Sequence, residues 1–182
     1  MIAIFKREFR ASFTGMMGWL LTAFLAAASG LYFFALNLGY GLTDFGYYTL
    51  YRTVFVLLLY VPVLAMRSLA EERRARTDQL LLTSPVTIPQ IVLGKYLAQL
   101  VIFAVPVLVA CVMPLILTAF GSVSLISAYA SLLAYFLLGA ACIAVGTFIS
   151  VLTENQIIAY LATFGLLLLS YLMNDIQTLF TT

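Results

Sequence analysis

The densest group of charged residues in this chain lies in residues 69–90, although only 9% of the whole sequence is charged. Six charged side chains stand close together there: Glu71, Glu72, Arg73, Arg74, Arg76 and Asp78. Adjacent carboxylates could act as a general acid and base or bind a metal ion. The segment continues as LLLTSPVTIPQ, a leucine run followed by a turn.

A catalytic role for this cluster is not supported by the rest of the sequence. Glu71, Glu72 and Arg76 match the EE-x-x-x-R pattern of membrane proteases of the prenyl-endopeptidase type, which also have downstream histidines. This chain has no histidine, so no metal-activated or imidazole-assisted water is expected beside the carboxylates. Gly94-Lys95 is followed by Tyr96, which does not fit a phosphate-binding loop. We therefore expect no enzyme activity, no cofactor and no metal.

The composition indicates an integral membrane protein. Hydrophobic residues make up 64% of the 182 residues, compared with about half in soluble domains. A helix needs about 20 apolar residues to cross the membrane, and runs of this length recur without the alternation of barrel strands. The prediction is an all-α polytopic membrane helix bundle, a single domain over residues 1–182, with five transmembrane helices at residues 17–38, 46–66, 97–118, 125–149 and 157–173.

The basic residues predict the orientation of the chain. They are concentrated in the N-terminal segment and in the loop 67–95, whereas the loops 39–46 and 119–124 contain none. Short basic loops stay in the cytoplasm, so both basic segments are expected there. A net charge of +2, divided between two such segments, favours contact with anionic membrane lipid and not with nucleic acid.

Residues 2–13 are predicted to form a short amphipathic helix. Its apolar stripe and its basic face are Ile2, Phe5, Phe9 and Phe13 against Lys6, Arg7 and Arg10. Such a helix lies in the headgroup plane, or it is a cytoplasmic extension of the first span. The sequence leaves both interpretations open.

The loop between the second and third spans is predicted to contain a second short helix. Thr77 or Asp78 could cap it, and it must stop near Ser84 because the residue before Pro85 is pushed out of the α region. Its leucines, at 80–82, could bind a groove on a soluble partner or dip into the headgroups.

Specific features are also predicted for the third span. Pro106 and Pro114 each remove a backbone hydrogen bond and can bend it, and Lys95 is expected to snorkel at the membrane boundary.

The fourth and fifth spans carry predicted caps and packing sites. Ser124 is expected to cap the fourth span, and Thr153 with Gln156 forms a capping-box pattern before the fifth. Gly139 and Gly146 are small enough for another helix to approach closely.

Two segments resemble one known family, the permease subunits of type-2 ABC exporters, especially the branch named for gliding motility. They are AEERRARTDQLLLTSPVTIPQIVLGKYLA (70–98) and GAACIAVGTFISVLTENQIIA (139–159). The first is similar to the family's cytoplasmic loop, and the second to its small-residue fourth span and the following turn. Two departures stand out: the family has a sixth span after the five seen here, and it usually has a glycine before the threonine at the position of Thr77.

The resemblance implies a permease in a bacterial or archaeal cell (inner) membrane. It would pair with a second permease, either itself or a sibling, and dock on an ABC ATPase subunit that hydrolyses ATP. The coupling residues would be Asp78, Gln79, Leu80, Leu81, Leu82, Thr83, Ser84, Pro85 and Val86, after a stalk of Glu71, Glu72, Arg73, Arg74 and Arg76. The elbow helix would present Phe5, Lys6, Arg7, Phe9, Arg10 and Phe13. An alternative is a membrane scaffold that recruits a cytoplasmic protein through residues 69–90 without transport; an uncoupled channel is a third possibility.

Overall fold

The computed structural model describes residues 2–66, 88–121, 123–153 and 155–181. Within them every regular element is a helix, and the predicted all-α bundle is confirmed. The α-helices are α1 (Ile2–Thr14), α2 (Met16–Tyr32), α3 (Tyr51–Met66), α4 (Ile88–Ala110), α5 (Met113–Leu117), α6 (Leu125–Leu152) and α7 (Gln156–Thr181). Two segments are π-helical: Phe33–Leu38 directly follows α2, and Gly46–Leu50 directly precedes α3.

Five helical stretches of the described chain are long and apolar enough to cross a membrane, as the sequence predicts. They are Gly18–Leu38, Gly46–Met66, Pro89–Leu117, Leu125–Leu152 and Gln156–Met173. The second of these is the most buried and the fifth the least. We call the end of the bundle that carries α1 and the first turns of α4 the α1 end, and the end that carries residues 39–45 the loop end.

The third span is broken near one of its two prolines. α4 stops at Ala110, residues 111–112 form a turn, and α5 begins at Met113 with Pro114 in its first turn. Pro114 has no N–H to donate to the carbonyl of Ala110, so the helical hydrogen bonding is interrupted there, and the proline lies in a first turn, where its missing donor is tolerated. Pro106 lies inside α4, so the chain accommodates one proline within the helix and breaks at the other.

Close packing in the bundle depends on two glycines of α6. α3 packs against α2, α6 and α7, and α4 packs against α1, α2 and α6. A Cβ atom at Gly139 would overlap the ring of Phe103 on α4, and one at Gly146 would lie 2.7 Å from the Cβ of Ala65 on α3. The predicted close approach of helices at these small residues is confirmed.

The start of α6 follows the sequence prediction, and the start of α7 does not. Ser124 Oγ accepts a hydrogen bond from the N–H of Ser127 at 3.3 Å, which confirms the predicted cap. Thr153 has an extended backbone at the end of α6, and Asn155 Oδ1 accepts from the N–H of Ile157 at 3.0 Å. Asn155 therefore caps α7, and the predicted capping box of Thr153 and Gln156 is wrong.

Candidate functional site

The candidate site is the α1 end of the bundle, where the charged loop leaves and re-enters it. The predicted coupling residues 78–86 and stalk residues 71–76 lie outside the described residues. The segment 67–87 joins α3, which ends at Met66, to α4, which begins at Ile88. The described residues around these two helix ends are therefore the structural frame of the predicted loop.

The N-terminal helix α1 has the amphipathic character that the sequence predicts. Lys6, Arg7 and Arg10 are exposed, whereas Phe9 and Phe13 are half-buried, and Phe13 packs against the hydrophobic core. Phe5 lies within α1, and its side chain is outside the described residues. The chain breaks at Gly15, which is extended, before α2 begins. α1 is thus a separate helix and not a continuation of the first span.

An ion pair between a buried lysine and a partly exposed glutamate joins α4 to α1. The Nζ of Lys95 lies 3.7 Å from Oε1 of Glu8, and Nη2 of Arg7 lies 2.9 Å from the same oxygen. The Lys95 side chain is 1% exposed and that of Glu8 is 22% exposed. Burying an ammonium group costs several kcal/mol unless an anion compensates it. Lys95 is therefore held against α1 and does not snorkel to the boundary, contrary to the sequence prediction.

Aromatic and hydrogen-bonding contacts extend this junction to the neighbouring helices. The indole N–H of Trp19, on α2, donates to the carbonyl of Phe13 at 2.9 Å, and the two rings meet edge to face at 5.5 Å. The hydroxyl of Tyr96 donates to the carbonyl of Ala140 on α6 at 3.2 Å. We use the name ion-pair junction for Glu8, Lys95 and the helices α1 and α4 that they connect.

The loop end is held by a neutral cluster, which we call the loop clasp: Asn37, Leu42 and Thr49. Asn37 and Thr49 are buried, with exposures of 1% and 0%. The Asn37 Nδ2 donates to the carbonyl of Leu42 at 2.6 Å, and the Thr49 hydroxyl donates to Asn37 Oδ1. Asn37 and Thr49 lie in the two π-helical segments. The bond between Asn37 and Thr49 therefore joins these two segments.

The role of Glu8 was not predicted from the sequence. Glu8 is the one acidic residue in α1, next to Arg7 and among basic neighbours, while Lys95 is a single charge in an apolar helix. One acidic residue in a basic helix and one base in an apolar helix are a usable signal for pairing, but only the fold shows that the two helices meet. Among the described residues no group of His, Cys, Asp and Glu could hold a metal ion.

A comparison with protein families agrees with this architecture. Residues 33–178 match the model described as ABC-2 family transporter protein, which covers most of the chain. The chain belongs to the ABC-2 transporter family. No curated protein and no solved structure matches it. As an ABC-2 chain with five candidate spans it is a multi-pass membrane protein and the permease component of an ABC transporter.

Membership in the ABC-2 family implies association with an ABC ATPase subunit. The matched region begins at Phe33 and therefore leaves α1 outside it. Glu8 of α1 nevertheless contacts Lys95 of α4, which lies within the matched region. The ion-pair junction thus attaches an N-terminal helix to the family's membrane domain beside the 67–87 segment.

Proposed function

We propose that this chain is the permease subunit of an exporter of the gliding-motility branch of ABC-2 transporters, in a bacterial or archaeal cell membrane. A separate subunit hydrolyses ATP, and residues 78–86 dock in a groove on that subunit. The N-terminus and the α1 end face the cytoplasm. The observation that carries the proposal is the family match over residues 33–178.

The arrangement of charge supports this orientation. The exposed bases of α1, Lys6, Arg7 and Arg10, lie at the same end of the bundle as the entry of α4. The segment 67–87 leaves from this end with most of the remaining basic residues. Basic segments near helix ends are retained in the cytoplasm and attract anionic lipid headgroups.

The described residues also support transmission of work from a partner. α4 starts directly after the 67–87 segment and is tied to α1 by Lys95 and to α6 by Tyr96. A displacement of the segment would therefore move α4, and through Lys95 and Tyr96 it would also act on α1 and α6. In this proposal the energy of ATP hydrolysis enters from the partner.

A second permease, identical or a sibling, completes the transporter in this proposal. α7 packs against α3 and α6, and the fifth span is the least buried of the five candidates. Exposed leucines along α7 leave an apolar face for another permease or for membrane lipid. The substrate passes between the two permeases as they alternate access.

The test is a double substitution in the predicted coupling helix, Leu81→Asp with Leu82→Asp. Two carboxylates would have to be desolvated in an apolar groove, so docking should fail. Affinity purification of the tagged chain from native membranes, with the ATP-hydrolysing subunit quantified, should show at least a tenfold loss of that subunit. The elution volume of the chain in detergent should stay unchanged.

The matched control is Ala119→Asp with Phe120→Asp, which adds the same two charges at an exposed turn beyond α5. This control variant should still co-purify with the ATP-hydrolysing subunit. Undiminished co-purification and transport in the Leu81 and Leu82 variant would contradict the proposed docking. A partner that co-purifies without any ATPase activity responding to a transported compound would indicate the scaffold function instead.

A further inference from the structure

An arginine lies on the outside of the bundle near its loop end. Arg52 is the one basic residue of the sequence outside residues 6–10 and 67–95. It is the second residue of α3, and its side chain is exposed. Within the part of the chain that the structure describes, no ion pair or hydrogen bond includes its guanidinium group. A partner for this cation must therefore come from elsewhere.

Arg52 lies on a face of the second span that turns away from the other helices. Phe55 and Leu59 follow it at helical spacing on the same face, and both are exposed. The span begins at Gly46, six residues and about 9 Å of helix before Arg52. An exposed apolar face of a span contacts lipid, so a cation on that face must extend towards the headgroups and find an anion there.

A stack of tyrosines indicates where the headgroups lie. The rings of Tyr47 and Tyr51 are nearly parallel, with 6° between their planes and 5.9 Å between their centroids. The ring of Tyr48 meets that of Tyr47 edge to face at 5.1 Å. Exposed tyrosines concentrate at the membrane interface, because the ring is apolar and the hydroxyl is polar. Arg52 directly follows Tyr51, so its guanidinium group can reach the level of the lipid phosphates.

Two carboxylates of the chain are the rivals of a lipid phosphate. Asp44 Oδ1 accepts a backbone N–H of the following helix at 3.1 Å, and Asp44 makes no ion pair with Arg52 within the described ranges. The other rival is on α7, where the ring of Tyr171 meets that of Phe55 at 6.3 Å. Asp175 follows Tyr171 by one turn, and its side chain is outside the described residues. A test must therefore include Asp175.

We propose that Arg52 binds the phosphate group of a phospholipid in the leaflet that borders the loop end. The guanidinium group stays charged, and its paired N–H donors match two oxygens of a phosphate. Every phospholipid carries such an anion, so the site accepts lipids without a net charge. The diffuse attraction of lipid to the basic face of α1 differs, because it requires lipids with a net negative charge. The site goes beyond the proposed transport function and does not depend on it.

The experiment measures thermal unfolding of the purified full chain in a non-ionic detergent while dioleoylphosphatidylcholine is added. This lipid should raise the melting temperature more than dioleoylglycerol, which has the same acyl chains and no phosphate. In Arg52→Gln the lipid concentration that gives half of the rise should be about tenfold higher, because charge-assisted hydrogen bonds are lost. Arg52→Lys keeps the charge without the paired donors and should lie between the two. Arg10→Gln, the same substitution at an exposed base of α1, should leave the half-point unchanged.

Three results of this titration would overturn the proposal: an unchanged half-point in Arg52→Gln, an equal shift in Arg10→Gln, or an equal rise with dioleoylglycerol. Asp175→Asn tests the rival carboxylate and should leave the response to lipid unchanged. If Arg52 pairs with Asp175 instead, Arg52→Gln and Asp175→Asn should lower the melting temperature without lipid by equal and non-additive amounts. That result would also contradict the phosphate site.

If a variant fails to fold, the unmutated protein decides. A high-resolution structure of the full chain in a phosphatidylcholine nanodisc should show a lipid phosphate within hydrogen-bonding distance of the Arg52 guanidinium group. A guanidinium group without a phosphate beside it in such a structure would overturn the proposal.

Discussion

At the loop end of the bundle Asn37, Leu42 and Thr49 are joined by neutral hydrogen bonds, and at the α1 end Glu8 and Lys95 are joined by an ion pair. The first set belongs to two consecutive spans and the loop between them. The second connects α1 and α4, which are far apart in the sequence: among the described residues α2, the two π-helical segments and α3 come between them.

The difference has a mechanical consequence. The loop clasp holds one short loop, so the loss of its hydrogen bonds would destabilise mainly residues 37–49. The ion pair holds α1 against the helix that emerges from the 67–87 segment. A ligand or partner that moves that segment would therefore move α1 with it, whereas the clasp would stay in place. The two sites predict different outcomes on substitution.

The largest effect is expected for Lys95→Glu. It would replace the buried Lys95 ammonium, whose Nζ lies 3.7 Å from Oε1 of Glu8, by a carboxylate. The cost should be about 3–5 kcal/mol of unfolding free energy. Denaturation of the purified chain in mild detergent measures it. Adding Glu8→Lys should restore part of the loss, because opposite charges face each other again.

Lys6→Glu is the control for that experiment, because Lys6 lies on α1, the helix that carries Glu8, and is exposed. It should change the stability by no more than about 0.5 kcal/mol. Equal effects of Lys95→Glu and Lys6→Glu would show that the ion pair does not hold the junction.

A smaller and more local effect is expected for Asn37→Leu. The substitution keeps the size of the side chain but deprives the Thr49 hydroxyl and the Leu42 carbonyl of their partners, at a cost of about 1–3 kcal/mol. Amide hydrogen exchange should become faster in residues 37–50 and remain unchanged in α4. The control Thr118→Val, in an exposed turn, should not alter exchange there. Faster exchange throughout the bundle would contradict the local role of the loop clasp, because it would show that the clasp stabilises the other helices as well.

Much of the fold was predictable because its signals are local. Runs of apolar residues predicted the five spans. Ser124 predicted the cap of α6, and Gly139 and Gly146 predicted close packing of helices. These features depend on the identity of neighbouring residues. The cap of α7 was misassigned because Thr153 and Asn155 are both capable caps, and only the backbone shows which of them precedes the helix.

The candidate site was less predictable because it depends on contacts between distant segments. Lys95 was expected at the membrane boundary, since a lone lysine in an apolar helix normally reaches for water. The packing of α1 on α4 covers it and supplies Glu8 instead. Likewise the π-helical geometry around Asn37 has no sequence signature, and the bond to Thr49 appears only when the two segments lie side by side.

The central claim is that the 67–87 segment and α1 face the cytoplasm, where an ATPase can reach them. Single cysteines introduced by Gln79→Cys or Phe120→Cys, in a chain with Cys111 and Cys142 replaced by alanine, test it directly in intact cells with a membrane-impermeant maleimide. The account predicts that position 120 reacts at once and that position 79 reacts only after the cells are permeabilised. Labelling of position 79 in intact cells would contradict it.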